Sequence, residues 1–359
     1  MPRAPRPDAV GTNDRRLPHA SFDTPQPAAR SALTEFELID RFFRQAEGGA
    51  TRSRGVLLGI GDDAALLAPT AGSELVASVD MLVAGRHFFA DVDSEALGHK
   101  ALAVNLSDMA AMGATPRWAL LAGALPDADP RWLDGFARGF FALAAAHGVE
   151  LVGGDTTRGP LNLCVTILGE VPAGEALLRG GARAGDSIWV SGVLGDASLA
   201  LAHRAGRVVL SHDEAAACES ALLRPTPQVA LGVQLRGLAS AAVDVSDGLV
   251  GDLGHVLAAS KLGAVLELAA IPRSTALGRQ LDGSAHDIAM QCLLAGGDDY
   301  ELCFTVSPSC DSRVAALAAE LGLALHRVGT IVAGRDLIVR DPFGRPIEKL
   351  PRAFDHFAE

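Results

Sequence analysis

No stretch constrains this chain more than Asp93–Gly113, DSEALGHKALAVNLSDMAAMG. It reads as one helix. Asp93 can cap its start, Glu95 suits the positive end of the helix dipole, Gly113 fits just past its end, and Pro116 forbids continuation. The middle, ALAVNLSDMAAM, is apolar on nearly every face, so other elements must cover it on most sides. Yet Ala101, Asn105, Asp108 and Met112 form one stripe, which carries an amide and a carboxylate into that setting. A buried, unpaired carboxylate is very costly. No basic residue lies between Leu102 and Thr115, so the partner of Asp108 comes from elsewhere, as an Arg, a Lys or a metal ion.

The rest of the chain offers mostly more carboxylates. They sit in Gly61-Asp62-Asp63, Ser78-Val79-Asp80, Gly154-Asp155-Thr156, Asp244-Val245-Ser246-Asp247-Gly248 and Gly297-Asp298-Asp299, most of them after β-branched or Leu-rich runs. Any one of these is an ordinary turn or helix cap, and that reading stays strong for Asp62 and Asp247. As a set they mean more, because strand ends are where an α/β protein gathers its site. Two carboxylates about 4 Å apart repel by about 4 kcal/mol at an effective dielectric near 20, so several converging need a cation between them. Mg2+ prefers carboxylates, water and substrate phosphates. The absence of His-Cys clusters disfavours zinc, and no EF-hand loop is present. The chain is therefore expected to bring these carboxylates into one pocket around Mg2+ and phosphate.

Phosphate cradles are backbone N–H groups in Gly turns with a cation nearby. GGDTTRG at residues 153–159, with Arg158, and Arg179 in LLRGG are candidates, though a lone Arg is usually solvated. His87 follows an apolar run and, alone, is ordinarily a core or surface residue. No P-loop and no nucleophile elbow occur, so direct in-line transfer with metal ions screening the charge is the economical mechanism.

The net charge of −12 argues against non-specific nucleic-acid binding, and no apolar run of about eighteen residues suggests a membrane span. The five cysteines lack a C-x-x-C and read as reduced thiols of a cytoplasmic protein. Residues 1–30, rich in Pro, Arg and Ala, read as a disordered extension. Order is expected from Thr34, with a domain boundary near Pro172 giving units 31–171 and 172–359. Strands alternate with helices in both units, which predicts an α/β or α+β class.

Seven motifs, in this order, resemble the thiamine-monophosphate kinase family of the AIR-synthase-like (PurM-like) ATP-binding superfamily: GIGDDAALL, SVDMLVAGRHF, KALAVNLSDMAAMGATP, GGDTTRGP, DVSDGLVGDLGH, GGDDYELCFT and the terminal FDHF. They span nearly the whole chain from Thr34 onward. The resemblance implies two α/β domains. The N-terminal mixed sheet would pair with its counterpart across a homodimer, and the C-terminal unit would be an α/β sandwich. It also implies transfer of the ATP γ-phosphate to thiamine monophosphate with Mg2+. By matching position, Asp63, Ser78, Val79 (through its carbonyl), Asp80, Asp108, Asp155, Asp244 and Asp247 would form the metal shell, with Asp108, Asp155 and Asp247 central to catalysis. Gly154, Asp155, Arg179 and Ser246 would contact ATP, and His87, Asp298 and Phe354 the thiamine phosphate. The family usually has Glu at position 298 and often Tyr or Trp at 354, so this chain departs from it at both. Two alternatives stay open: another synthetase of the superfamily, acting on a purine precursor, and a non-catalytic binder of nucleotide or divalent ions.

Overall fold

The computed structural model describes residues 34–44 and 55–353. The proposed extension over residues 1–30 and the terminal FDHF, with Phe354, lie outside them. The first unit runs α1 (Glu35–Leu38, continuing as a π-helical turn Ile39–Phe43), β1 (Val56–Leu58), β2 (Leu66–Leu67), β3 (Ser73–Val83), α2 (Ser94–Ala111), β4 (Thr115–Leu125), α3 (Pro130–His147), β5 (Glu150–Arg158) and β6 (Asn162–Pro172). The second runs β7 (Ser187–Ser191), α4 (Asp196–Arg204), α5 (His212–Leu223), α6 (Val229–Leu235), β8 (Ala241–Val245), α7 (Leu249–Ser260), β9 (Gly263–Glu267), α8 (Thr275–Leu281), α9 (His286–Ala295), β10 (Glu301–Val306), α10 (Asp311–Leu321), β11 (Leu325–Val332) and β12 (Leu337–Arg340).

Helix α2 forms as its residues demand. The Asp93 carboxylate accepts the Ala96 N–H, and Gly113 takes a left-handed φ of 64° just beyond the end. It is buried along most of its length and packs against α3, β3, β4 and β6 on one side and α5, α6, β8 and β10 on the other. Its approach to α3 is backbone to backbone: a Cβ at Gly98 would lie 2.0 Å from the Phe136 carbonyl oxygen, and one at Gly139 would lie 1.8 Å from that of Glu95.

The first sheet has the order β3-β6-β4-β5. Only β4 and β5 are parallel, joined by the α3 crossover. Helices α2 and α3 cover one face. The other face leaves Leu75, Val79 and Met81 of β3 exposed. Two short strands, β1 and β2, flank the GIGDD loop. The second sheet has the order β12-β9-β11-β7-β10-β8 and is antiparallel except between β12 and β9. Alternation along β10 sends Leu302, Phe304 and Val306 into the core shared with α2, and Cys303 into a separate core with α4, α7 and α9. Helix α2 is thus sandwiched between the two sheets, and the ends of β3 and β8 meet beside it.

Candidate active site

A cavity of about 900 Å³ opens beside α2, lined by Asp80 of β3, Asp108 of α2, Asp244 of β8, the following Ser246 and Asp247, and Asp298. Arg86 and Arg207 supply cations to its wall, which His87 also lines. Burial, then the charges of Asp108 and Asp244, pushes the Asp80 carboxyl up to about 7. Burial and the charge of Asp108 likewise push Asp244 up to about 7, against a 2.8 Å hydrogen bond donated by the Ser107 hydroxyl. Asp108 is raised by burial and held back by the Ser78 hydroxyl, which donates to its Oδ2, and by the charge of Arg179. The partners that the half-buried Asp108 requires are therefore Ser78 and Arg179, which leave the three carboxylates undercompensated.

Among the described residues no three Asp, Glu, His or Cys side chains form a ready ligand cluster. The aspartates are close enough to disfavour one another's charge without sharing a ligand point. That donor set fits Mg2+, which takes one or two carboxylates and fills its remaining positions with water and phosphate oxygens.

The turn after β8 is held from below. Buried Asp252, in the first turn of α7, accepts the N–H of Ser246 at 3.0 Å and of Asp247 at 2.9 Å through Oδ2. Burial dominates there, and its carboxyl stands at about 7. Gly297 abuts the same turn: a Cβ would lie 2.4 Å from the Ser246 carbonyl oxygen, so only glycine fits. Asp298 N–H then donates to Ser246 at 2.9 Å and Tyr300 N–H to Val245 at 2.8 Å. Adjacent aspartates part company here. Asp298 faces the cavity, whereas Asp299 accepts the Gly195 N–H with both oxygens and anchors the start of α4. His87 accepts the Val83 N–H at Nδ1, at 3.0 Å, which puts its own proton on Nε2.

The expected convergence on one pocket is corrected. Asp63, Gly154 and Asp155 line a second cavity of about 910 Å³, on the sheet face away from α2, together with Arg44, Leu120 and Thr166. Val79 also points to that face and is 58% exposed, so only its backbone could serve the inner site. GGDTTR is not a Gly turn. It pairs in parallel with β4 from Leu120↔Gly153 to Leu125↔Arg158, because a ladder partner overrides local turn preference. Asp62, as expected, braces its own turn, accepting the Asp63 N–H at 2.9 Å.

Residues 61–171 match the model of the AIR synthase related protein N-terminal domain, and residues 183–342 that of its C-terminal domain. The thiamine-monophosphate kinase of Salmonella typhimurium is 43% identical over 330 residues, covering 91% of this chain and 99% of that protein. The chain belongs to the thiamine-monophosphate kinase family. The crystal structure of the thiamine-monophosphate kinase of Stenotrophomonas maltophilia superposes with a TM-score of 0.77 at 48% identity, covering 86% of this chain and 97% of that one. AaThiL complexed with AMPPCP and TMP superposes with a TM-score of 0.70 at 27% identity, covering 90% and 97%.

Against the family's motifs, sequence reasoning overlooked four residues. Arg207 stands where nothing local marks it, whereas Asp252 lies inside DVSDGLVGDLGH, the motif that carries Asp244 and Asp247. Tyr300, the one tyrosine of the chain, donates to Asp298 at 3.0 Å. Lys100 is a lysine in an apolar run, eight residues before Asp108 and on the same helix face, and that spacing was a usable signal.

Proposed function

We propose that this chain phosphorylates thiamine monophosphate with ATP, giving thiamine diphosphate and ADP. The observation that carries the reading is the convergence of Asp80, Asp108 and Asp244 on one cavity, in a family whose member AaThiL forms a complex with AMPPCP and TMP. An oxygen of the acceptor phosphate bonds to the γ-phosphorus as its bond to the β,γ-bridging oxygen breaks. The acceptor is already ionised near neutral pH and needs no general base, so positioning and charge neutralisation carry the rate. Asp80, Asp108, Asp244 and Asp247 would hold Mg2+, which when bound screens the phosphate oxygens. Ser246 and Arg179 hold the nucleotide, and His87 and Asp298 the acceptor.

Asp63, Gly154 and Asp155 belong to the same site but lie across the sheet from it within one subunit. A second copy of this chain resolves the separation. The outer face carries exposed Leu75, Val79 and Met81, an apolar surface that is rarely left to water. Its occupant is the same face of a second copy, which makes a homodimer and brings Asp63 and Asp155 to the junction. We place the reaction in the cytoplasm; among the described residues no helix is long and apolar enough to cross a membrane. The two structural units are taken as 31–171 and 172–359.

The test is detection of thiamine diphosphate from ATP and thiamine monophosphate, with and without Mg2+. Turnover that requires Mg2+ is expected. Consumption of ATP with an aminoimidazole precursor instead would favour the purine-type synthetase, and no turnover with either would favour a binding protein. Asp108→Asn is expected to stay folded and lose about 10²-fold or more in kcat. Full turnover by that variant would remove Asp108 from the mechanism.

A further inference from the structure

Lys100 is 1% exposed. A lysine ammonium in such a place loses its hydration and stays charged only beside an anion. Its one ion-pair partner among the described residues is Asp298, with Nζ 3.1 Å from Oδ1. Nζ makes no hydrogen bond among those residues, so the contact with Asp298 is an ion pair alone. Tyr300 donates to the same Oδ1 at 3.0 Å. Burial and neighbouring carboxylates keep that phenol protonated, so it remains a donor. The backbone cooperates: Asp298 and Tyr300 hold φ values of 69° and 51°, two of the three left-handed non-glycine residues among those described. Strain of this kind persists where surrounding contacts over-determine a position. An ion pair from Lys100 and a hydrogen bond from Tyr300 thus hold Oδ1, while among the described residues Oδ2 has no partner and the carboxylate lines the cavity.

We propose that Lys100 is a positioning residue for the acceptor. It holds the Asp298 carboxylate in one orientation, so that Oδ2 faces the cavity and binds the cationic ring of the acceptor. This rests on the kinase reading above. Thiamine monophosphate carries a fixed positive charge on its thiazolium ring, and ATP carries none. A carboxylate held by a buried ammonium therefore acts on one substrate and not on the other. The pair also joins the two halves of the molecule, since Lys100 lies on α2 and Asp298 in the turn before β10.

The experiment measures KM for each substrate in the wild type, Lys100→Met, Asp298→Asn and the double variant, with thermal unfolding as the check on folding. Methionine keeps the length of the side chain and removes its charge. Lys100→Met is expected to raise KM for thiamine monophosphate by about tenfold or more and to move KM for ATP by less than about twofold. The double variant should be no worse than Asp298→Asn alone, because Lys100 acts through Asp298. A purely structural lysine would instead lower the melting temperature, shift both KM values together and add to the Asp298→Asn effect. Either that pattern or an unchanged acceptor KM in Lys100→Met overturns the inference alone. A wild-type enzyme with no turnover on thiamine monophosphate overturns the kinase reading and this inference with it.

Discussion

Asp244 shows what gathering carboxylates does to a single residue. It is 5% exposed and its carboxyl stands at about 7, so at neutral pH its charge opposes folding, although the proposed metal site needs that charge. Asp244→Asn removes the charge and keeps an oxygen to accept from Ser107. The ligand-free variant should melt higher than the wild type near pH 7.5, yet turn over about 10²-fold more slowly. The pH dependence has a definite sign. Asp80 and Asp244 are raised from 3.8 to about 7, so the folded protein binds more protons than the unfolded chain between those values. The stability they contribute is therefore full below about pH 4 and falls as pH rises towards about 7. By this contribution the ligand-free protein should melt higher near pH 5.5 than near pH 7.5, and the Asp80→Asn, Asp244→Asn double variant should show a smaller difference. Mg2+ with ATP should stabilise the wild type more at the higher pH, where the carboxylates are ionised.

At the scale of elements, the contact of α2 with α3 is set by glycine. With a Cβ at Gly98 only 2.0 Å from the Phe136 carbonyl oxygen, Gly98→Ala must push the helices apart. Denaturant unfolding should show a loss of about 3 kcal/mol. Gly278 in α8 is the contrast: a Cβ there meets nothing within 4 Å. Gly278→Ala should stabilise by about 0.5–1 kcal/mol through helix propensity and lost chain entropy. Elements fixed by their own residues were legible in the sequence. Helix α2, with its cap and all-round apolar middle, needed no partner to be recognised. Helix α5 carried a usable signal in the Ser211–Glu214 capping box that was passed over. Strand β5 was not legible beyond Val152, because Gly, Asp and Thr favour turns and only β4, distant in sequence, makes them a strand. The same limit governed the site. The acidic motifs could be read, but the register shift between β4 and β5 around Val152 could not. A one-residue shift reverses which face the following side chains occupy. Asp155 accordingly borders the outer cavity and Asp80 the inner one.

That division makes a prediction about the whole molecule. If Asp155 and Asp108 serve one reaction from two cavities on opposite faces of a single sheet, one subunit cannot supply both to the same substrate. Two subunits joined by their outer faces can, with Asp155 of one completing the cavity of the other. The isologous contact is the commonest closed arrangement, and it would remove exposed Leu75 and Met81 of the edge strand β3 from water. Sedimentation should find a dimer at micromolar concentration, and Leu75→Asp with Met81→Lys should yield a folded monomer with little turnover. Mixing separates a shared site from mere dimerisation. Asp108→Asn and Asp155→Asn should each be inactive. After subunit exchange, about half of the dimers are mixed, and in each of these one of the two sites receives both aspartates. Recovery of about a quarter of wild-type activity is then expected. If both aspartates act within one subunit, every site in the mixture lacks one of them and activity stays at the level of the separate variants. That result, or a wild-type monomer that turns over fully, would return Asp155 to a structural role in its own strand.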